Sequence, residues 1–221
     1  ILKNTGFLYV KMGINVFISL YTTRLILNSL GASNFGVFNV VGGAIAMLSF
    51  LNASMASATQ RFMNYSEGEG DEVKEKQIFN TSVILHLAIA LFVGVLLIAL
   101  KAIFFNFVLN INESEINAAK WIYNFMIVST IFSIMTVPYD AVITAHENML
   151  YYSIVGIIES LLKLSAAIIV TILLNNKLIW YGAMMSIISL IVMIIMRIYC
   201  KIHYKECKSS FRRYFDIRVF K

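Results

Sequence analysis

Charge is scarce in this chain: 14% of its 221 residues are Asp, Glu, Lys or Arg, where a soluble domain carries about 25%. Proline occurs once, histidine three times and cysteine twice. Cys200 and Cys207 lie seven apart, which is neither a metal-ligand spacing nor a disulfide framework, and free thiols are expected. No HExxH, glycine-rich phosphate loop, Ser-His-Asp set or paired catalytic carboxylates occur, so no enzyme, metal centre or cofactor is expected. What fills the space is apolar: 59% hydrophobic residues with 16 Phe, 11 Tyr and 11 Met, and a mean hydropathy of +0.78. A soluble fold of this length would expose much of that surface to water. The composition demands a bilayer.

The apolar stretches are continuous and do not alternate, which excludes a transmembrane barrel. A spanning helix needs about 20 apolar residues, and six such stretches are predicted, at 5–30, 35–59, 78–105, 121–139, 149–174 and 178–200. The fold class is therefore all-α, a polytopic bundle over 1–200 followed by a basic amphipathic tail over 201–221. Span 1 is the most polar, and its alternative as a signal peptide lacks a small-residue cleavage site. Basic residues set the orientation. Thirteen of the eighteen Lys and Arg fall at the N-terminal end, around 60–77 and 140–148, or from Arg197 onward. The opposite loops carry only Lys120 and Lys177, with Lys101 nearby. The positive-inside rule then places both termini in the cytoplasm of a cell membrane. The tail mixes Phe211, Tyr214, Phe215 and Phe220 with cations, a composition for anionic lipid and not for nucleic acid; a plain topogenic loop would have the same make-up.

Several polar groups fall inside these spans. Lys11, Asn15, Ser19 and Thr22 recur at spacings of four, four and three, on one face of span 1. Such a stripe faces a wet cavity or bonds to neighbouring helices. Arg24 points about 180° from Asn15, on a face with Tyr21 and Asn28. It either meets an anionic substrate or snorkels to the outer interface. Glu159 and Lys163 sit one turn apart in the favourable order, with Glu159 about 15 Å into span 5. They either line a wet site or neutralise one another within the bundle. In span 2, Gly42, Ala46, Ser49, Ala53 and Ala56 form a small-residue packing ridge. His86 reads as a hydrogen-bonded core residue and His146 as an interfacial loop residue. Pro138 is expected to bend or end span 4.

The stretch from Arg24 through Gly31, Phe35, Gly36 and Phe38 resembles the "R…LG…YG.Y" signature of bacterial polysaccharide flippases, with phenylalanine where tyrosine is usual. The segments 39–43, 54–62 and 138–149 resemble the next blocks of that family, and the likeness runs from about residue 4 to about residue 205. These flippases belong to the multidrug/oligosaccharidyl-lipid/polysaccharide (MOP) superfamily. Their twelve to fourteen helices form two bundles around a central cavity. The resemblance implies the N-terminal bundle, with a second bundle beyond Lys221 or a second copy as its partner. It also implies alternating-access flipping of a polyprenyl-pyrophosphate-linked oligosaccharide for O-antigen, capsule or other surface polysaccharide (lipopolysaccharide in a cell inner membrane). Arg24 matches the family's arginine near the end of the first helix. Lys11, Asn15, Ser19, Glu159 and Lys163 are cavity candidates from their depth and chemistry. A multidrug and toxin extrusion (MATE) exporter of the same superfamily and a non-transporting scaffold are the alternatives.

Overall fold

The computed structural model describes residues 2–46, 49–108, 113–173 and 175–208. The aromatic-basic segment beyond Lys208 lies outside them, as do the side chains of Ala46, Ser49 and Ala53 in the small-residue ridge. The described residues form helices α1 (Leu2–Ala46), α2 (Ser49–Glu69), α3 (Glu72–Ile103), α4 (Glu113–Ala145), α5 (Met149–Ile172) and α6 (Lys177–His203). A π-turn, Phe104–Val108, extends α3, and a 3-10 turn, Glu206–Lys208, follows α6. No strand occurs among them. Five helices, within α1, α3, α4, α5 and α6, are long and apolar enough to cross a membrane.

The boundaries between spans differ from the sequence reading in two instructive places. The predicted loop 31–34 is almost wholly helical, and only Gly31 leaves the helix, at φ 77° and ψ 166°. That left-handed φ suits glycine alone, and one residue is enough to turn the chain back. Before the turn, α1 runs alongside α5: Asn4 Nδ2 donates to the Glu147 carbonyl at 3.1 Å, and Ser29 Oγ to the Val170 carbonyl at 3.3 Å. After it, Phe38 packs on Tyr181 with ring centroids 5.0 Å apart, and Gly42 meets Met126. The second rod therefore returns along α4 and α6.

The other difference is at Pro138. The sequence places the end of span 4 at residue 139, yet α4 continues to Ala145 with Pro138 inside it and buried. Proline removes one helical hydrogen bond, but a bundle packed on several sides holds the helix together across it. The consequence is that Asp140, assigned to a loop by sequence, sits within the helix.

Local signals fix the starts of α3 and α5. Asp71 caps α3, its carboxylate accepting from the amides of Val73 and Lys74 at 3.0 Å, after Gly70 at φ 70°. Asn148 Oδ1 caps α5 through the Tyr151 amide at 3.2 Å; such caps stabilise by about 1 kcal/mol.

The core is split in two. One cluster, with Ile26, Val41, Ile122, Tyr123, Val170 and Tyr181, fills the Gly31 end. A second, with Ile78, Phe79, Tyr139, Val142, Val155 and Cys200, fills the other, where His146 lies. Between them three helices turn polar residues inward at the same level. That interruption is where the candidate site forms.

Candidate functional site

In this interval α4 contributes Ser133, Thr136 and Asp140, α5 contributes Tyr152, Gly156 and Glu159, and α6 contributes Ser189. With Lys11 from α1 they line a cavity of about 150 Å³. The spacings 133–136–140 and 152–156–159 are helical, so each set shares a face.

Lys11 reaches across from α1 with its ammonium 3.8 Å from the centre of the Tyr152 ring. Such a cation–π contact is worth ~0.5–2 kcal/mol, more when desolvated. The carboxylates acting on that ammonium are those of Asp140 and Glu159. Among the described residues no ion pair within 4 Å ties Lys11 to either one. Lys11 can pass so close to α5 because residue 156 is glycine: a Cβ there would lie 2.8 Å from Lys11 Nζ and 3.2 Å from its Cδ.

Glu159 does have a near partner: its carboxylate is 2.6 Å from Lys163 Nζ, one turn on. Lys163 itself lies outside the cavity lining, so within the cavity the Asp140 and Glu159 carboxylates stand beside one ammonium, that of Lys11, at a depth where an isolated charge costs ~2.5–3.5 kcal/mol or more. Glu159 has Lys163 as well; Asp140 has only the Lys11 ammonium to answer it.

The other sequence candidates divide. Asn15 faces α5, its Oδ1 accepting from Ser160 Oγ at 2.9 Å. Ser19 is exposed and donates to the Val16 carbonyl of its own helix at 3.4 Å. Thr22 is buried and its hydroxyl finds no hydrogen-bond partner among the described residues. The stripe on α1 is thus cavity wall at Lys11 and helix contact at Asn15. Arg24 is exposed on α1, apart from the cavity. His86 is buried and its Nδ1 donates to the Ser82 carbonyl at 2.7 Å, as a core histidine would.

Asp140, Tyr152, Ser133 and Ser189 were missed by sequence. Carrying the helical spacing of Ser133 and Thr136 through Pro138 would have put Asp140 on their face.

At the His146 end the chain after α6 folds back. His146 Nε2 is 2.6 Å from Glu206, and its Nδ1 is 3.3 Å from Glu67. Tyr204 stacks flat on the imidazole, centroids 4.4 Å apart. The Glu206 hydrogen bond holds the imidazole's pKa above its usual value, against a weaker desolvation effect. Cys200 and Cys207 are free thiols. The thiol of Cys207 is pushed up by its hydrogen bond to Cys200 and by burial.

Comparison with known proteins places this architecture. The MatE family matches residues 10–169. Two solved structures share the fold over 96% of this chain at 11% identity. One is described as the outward-facing conformation of a multidrug resistance MATE family transporter of the MOP superfamily, at a TM-score of 0.75. The other is a MOP superfamily transporter from Pyrococcus furiosus, whose binding pocket is described as having reverse polarity, at 0.74. The chain spans 46% and 45% of their lengths, slightly less than half. No curated protein matches it. Since the family match covers well over half of the 221 residues, the chain belongs to the MatE family, and its fold is that of the two transporter structures it resembles.

Proposed function

We propose that this chain is one bundle of a transporter that flips a polyprenyl-pyrophosphate-linked oligosaccharide across the cytoplasmic membrane by alternating access. Its termini face the cytoplasm in this reading, and a second bundle, in the same chain or a second copy, completes the pathway. The observation that carries it is the Lys11 ammonium, set in a hydroxyl-lined cavity between two apolar cores and locked to no carboxylate. A pyrophosphate in a wet cleft beside it would find a mobile cation, while the prenyl tail stays in lipid. The motif running from Arg24 to Phe38 supports the same substrate class.

A second reading, export of organic cations, is favoured by one specific feature: Asp140 and Glu159 put two carboxylates beside the single Lys11 ammonium. The two readings separate on one experiment. In cells lacking their own polysaccharide flippase, the full-length protein restores surface glycan and Lys11→Met lowers that restoration at least tenfold. Cationic-dye efflux with no restored glycan, or restoration indifferent to Lys11→Met, overturns the first reading.

A further inference from the structure

A second, larger cleft opens at the His146 end of the bundle. It holds about 780 Å³, within the ~300–1,000 Å³ typical of ligand sites. Its walls are the start of α1 (Asn4, Thr5, Leu8), the end of α2 (Gln60, Asn64, Glu67, Gly68), and the α4–α5 turn with its flanks. Three helices connect it to the charged cavity above. Leu8 lies one turn before Lys11, Thr144 one turn after Asp140, and Met149 one turn before Tyr152. The two spaces are therefore stacked along the bundle, one turn apart.

Their chemistry differs. Among the described residues no Lys or Arg lines the lower cleft. Of its charged groups, Glu67 is held by His146, and both imidazole nitrogens are already engaged by Glu67 and Glu206. The Glu147 carbonyl is occupied by Asn4 Nδ2. Apart from the exposed Glu147 carboxylate, which would repel an anion, what stays open is uncharged: the amides of Gln60 and Asn64, which make no hydrogen bond among the described residues, and the Oδ1 of Asn4. The Thr144 hydroxyl donates back to the Asp140 carbonyl at 2.7 Å, leaving its lone pairs to the cleft. Amides offer donor and acceptor side by side, and so do vicinal hydroxyls. A phosphate would gain no cation here.

We propose that this cleft binds the neutral, polyhydroxylated sugar residues of the head group, one turn below the cavity that holds its charge. The inference rests on the flippase reading and adds a subsite to it, with Gln60 and Asn64 as the contacts that read the sugar.

The test uses full-length protein in lipid nanodiscs and saturation-transfer NMR. The probes are neutral hexoses, N-acetylhexosamines and their disaccharides, with inorganic pyrophosphate as the charged comparison. At least one neutral sugar receives saturation. The Gln60→Leu/Asn64→Leu double variant cuts that signal at least fivefold, and so does Asn64→Trp, which fills the cleft from an exposed position that folding does not need. Lys177→Ala, at the opposite end, keeps it. Sugar signals equal in wild type and both cleft variants, or no transfer to any neutral sugar, overturn the subsite. Failure of the subsite is distinguishable from failure of the flippase reading. Glycan restored to wild-type level by both cleft variants sinks the subsite alone, whereas no restored glycan with the wild-type protein sinks the flippase.

Discussion

Gly156→Ala asks whether the position of Lys11, and not merely its charge, matters. An added Cβ would stand 2.8 Å from Lys11 Nζ and 3.2 Å from Cδ, well inside van der Waals contact. The backbone of α5 is packed, whereas the lysine is the flexible partner, so the lysine moves. In doing so it leaves the Tyr152 ring, now 3.8 Å from its ammonium, at a cost of ~1–2 kcal/mol for a partly desolvated cation–π contact. Asp140 also loses the one cation acting on it. If that arrangement is used in the rate-limiting state, transport falls about five- to thirtyfold, the equivalent of ~1–2 kcal/mol. Stability is expected to hold level, because alanine in a helix recovers roughly 0.5–1 kcal/mol over glycine. The assay is restoration of surface glycan alongside a thermal melt of purified protein. Gly13→Ala, two residues from Lys11, is the control, since a Cβ there meets nothing within 4 Å. Wild-type transport by Gly156→Ala, while Lys11→Met abolishes it, would refute the idea that glycine at 156 sets the lysine's place.

Three further outcomes follow from the same geometry. Asp140→Asn removes a carboxylate that, among the described residues, has no hydrogen bond or ion pair within 4 Å and is answered only by the Lys11 ammonium; it lowers transport at least tenfold, and transport at the wild-type rate would remove Asp140 from the substrate path. Arg24→Ala leaves stability within ~0.5 kcal/mol, because the side chain is exposed and bonds to nothing among the described residues, but it reduces restored glycan; unchanged glycan removes Arg24 from the substrate path. The third concerns His146. Its pKa in the folded protein is raised, chiefly by Glu206, so the stability it contributes is whole below about pH 6.5 and fades as pH rises through the folded value. Melting temperature therefore declines more steeply from pH 6 to 8.5 in the wild type than in His146→Gln, and parallel profiles would contradict the assignment.

The helices were legible because lipid leaves few options: long apolar runs must close their own backbone hydrogen bonds. Turns were harder. Gly31 reverses the chain in one residue, which hydropathy reads as a four-residue loop because the residues after it, Ala32 to Asn34, are small or polar. Pro138 misled in the opposite sense. Its local preference is to end a helix, and tertiary packing overrode it. The site was half legible for the same reason. Lys11 and Glu159 announced themselves as charges inside apolar runs, while Asp140 was hidden by an early helix end. Tyr152 and Gly156 carry no signal of their own, since what they do depends on a lysine 145 residues from the glycine in sequence.

Lys163 explains why Glu159 and Asp140, both carboxylates of one cavity, are unequal. Glu159 is answered from its own helix, at i+4, and that pair persists whatever the other helices do. Asp140 is answered only from α1, by a lysine that also leans on Tyr152. Any movement of α1 against α4 and α5 therefore changes the charge balance at Asp140 and leaves Glu159 nearly as it was. A transporter that alternates by such movement couples it to its cargo most directly at the group whose partner sits across the moving boundary. If the bundle works as proposed, that group is Asp140, and the alternative pairing it needs when Lys11 departs is what a cation, a proton or the cargo itself would supply.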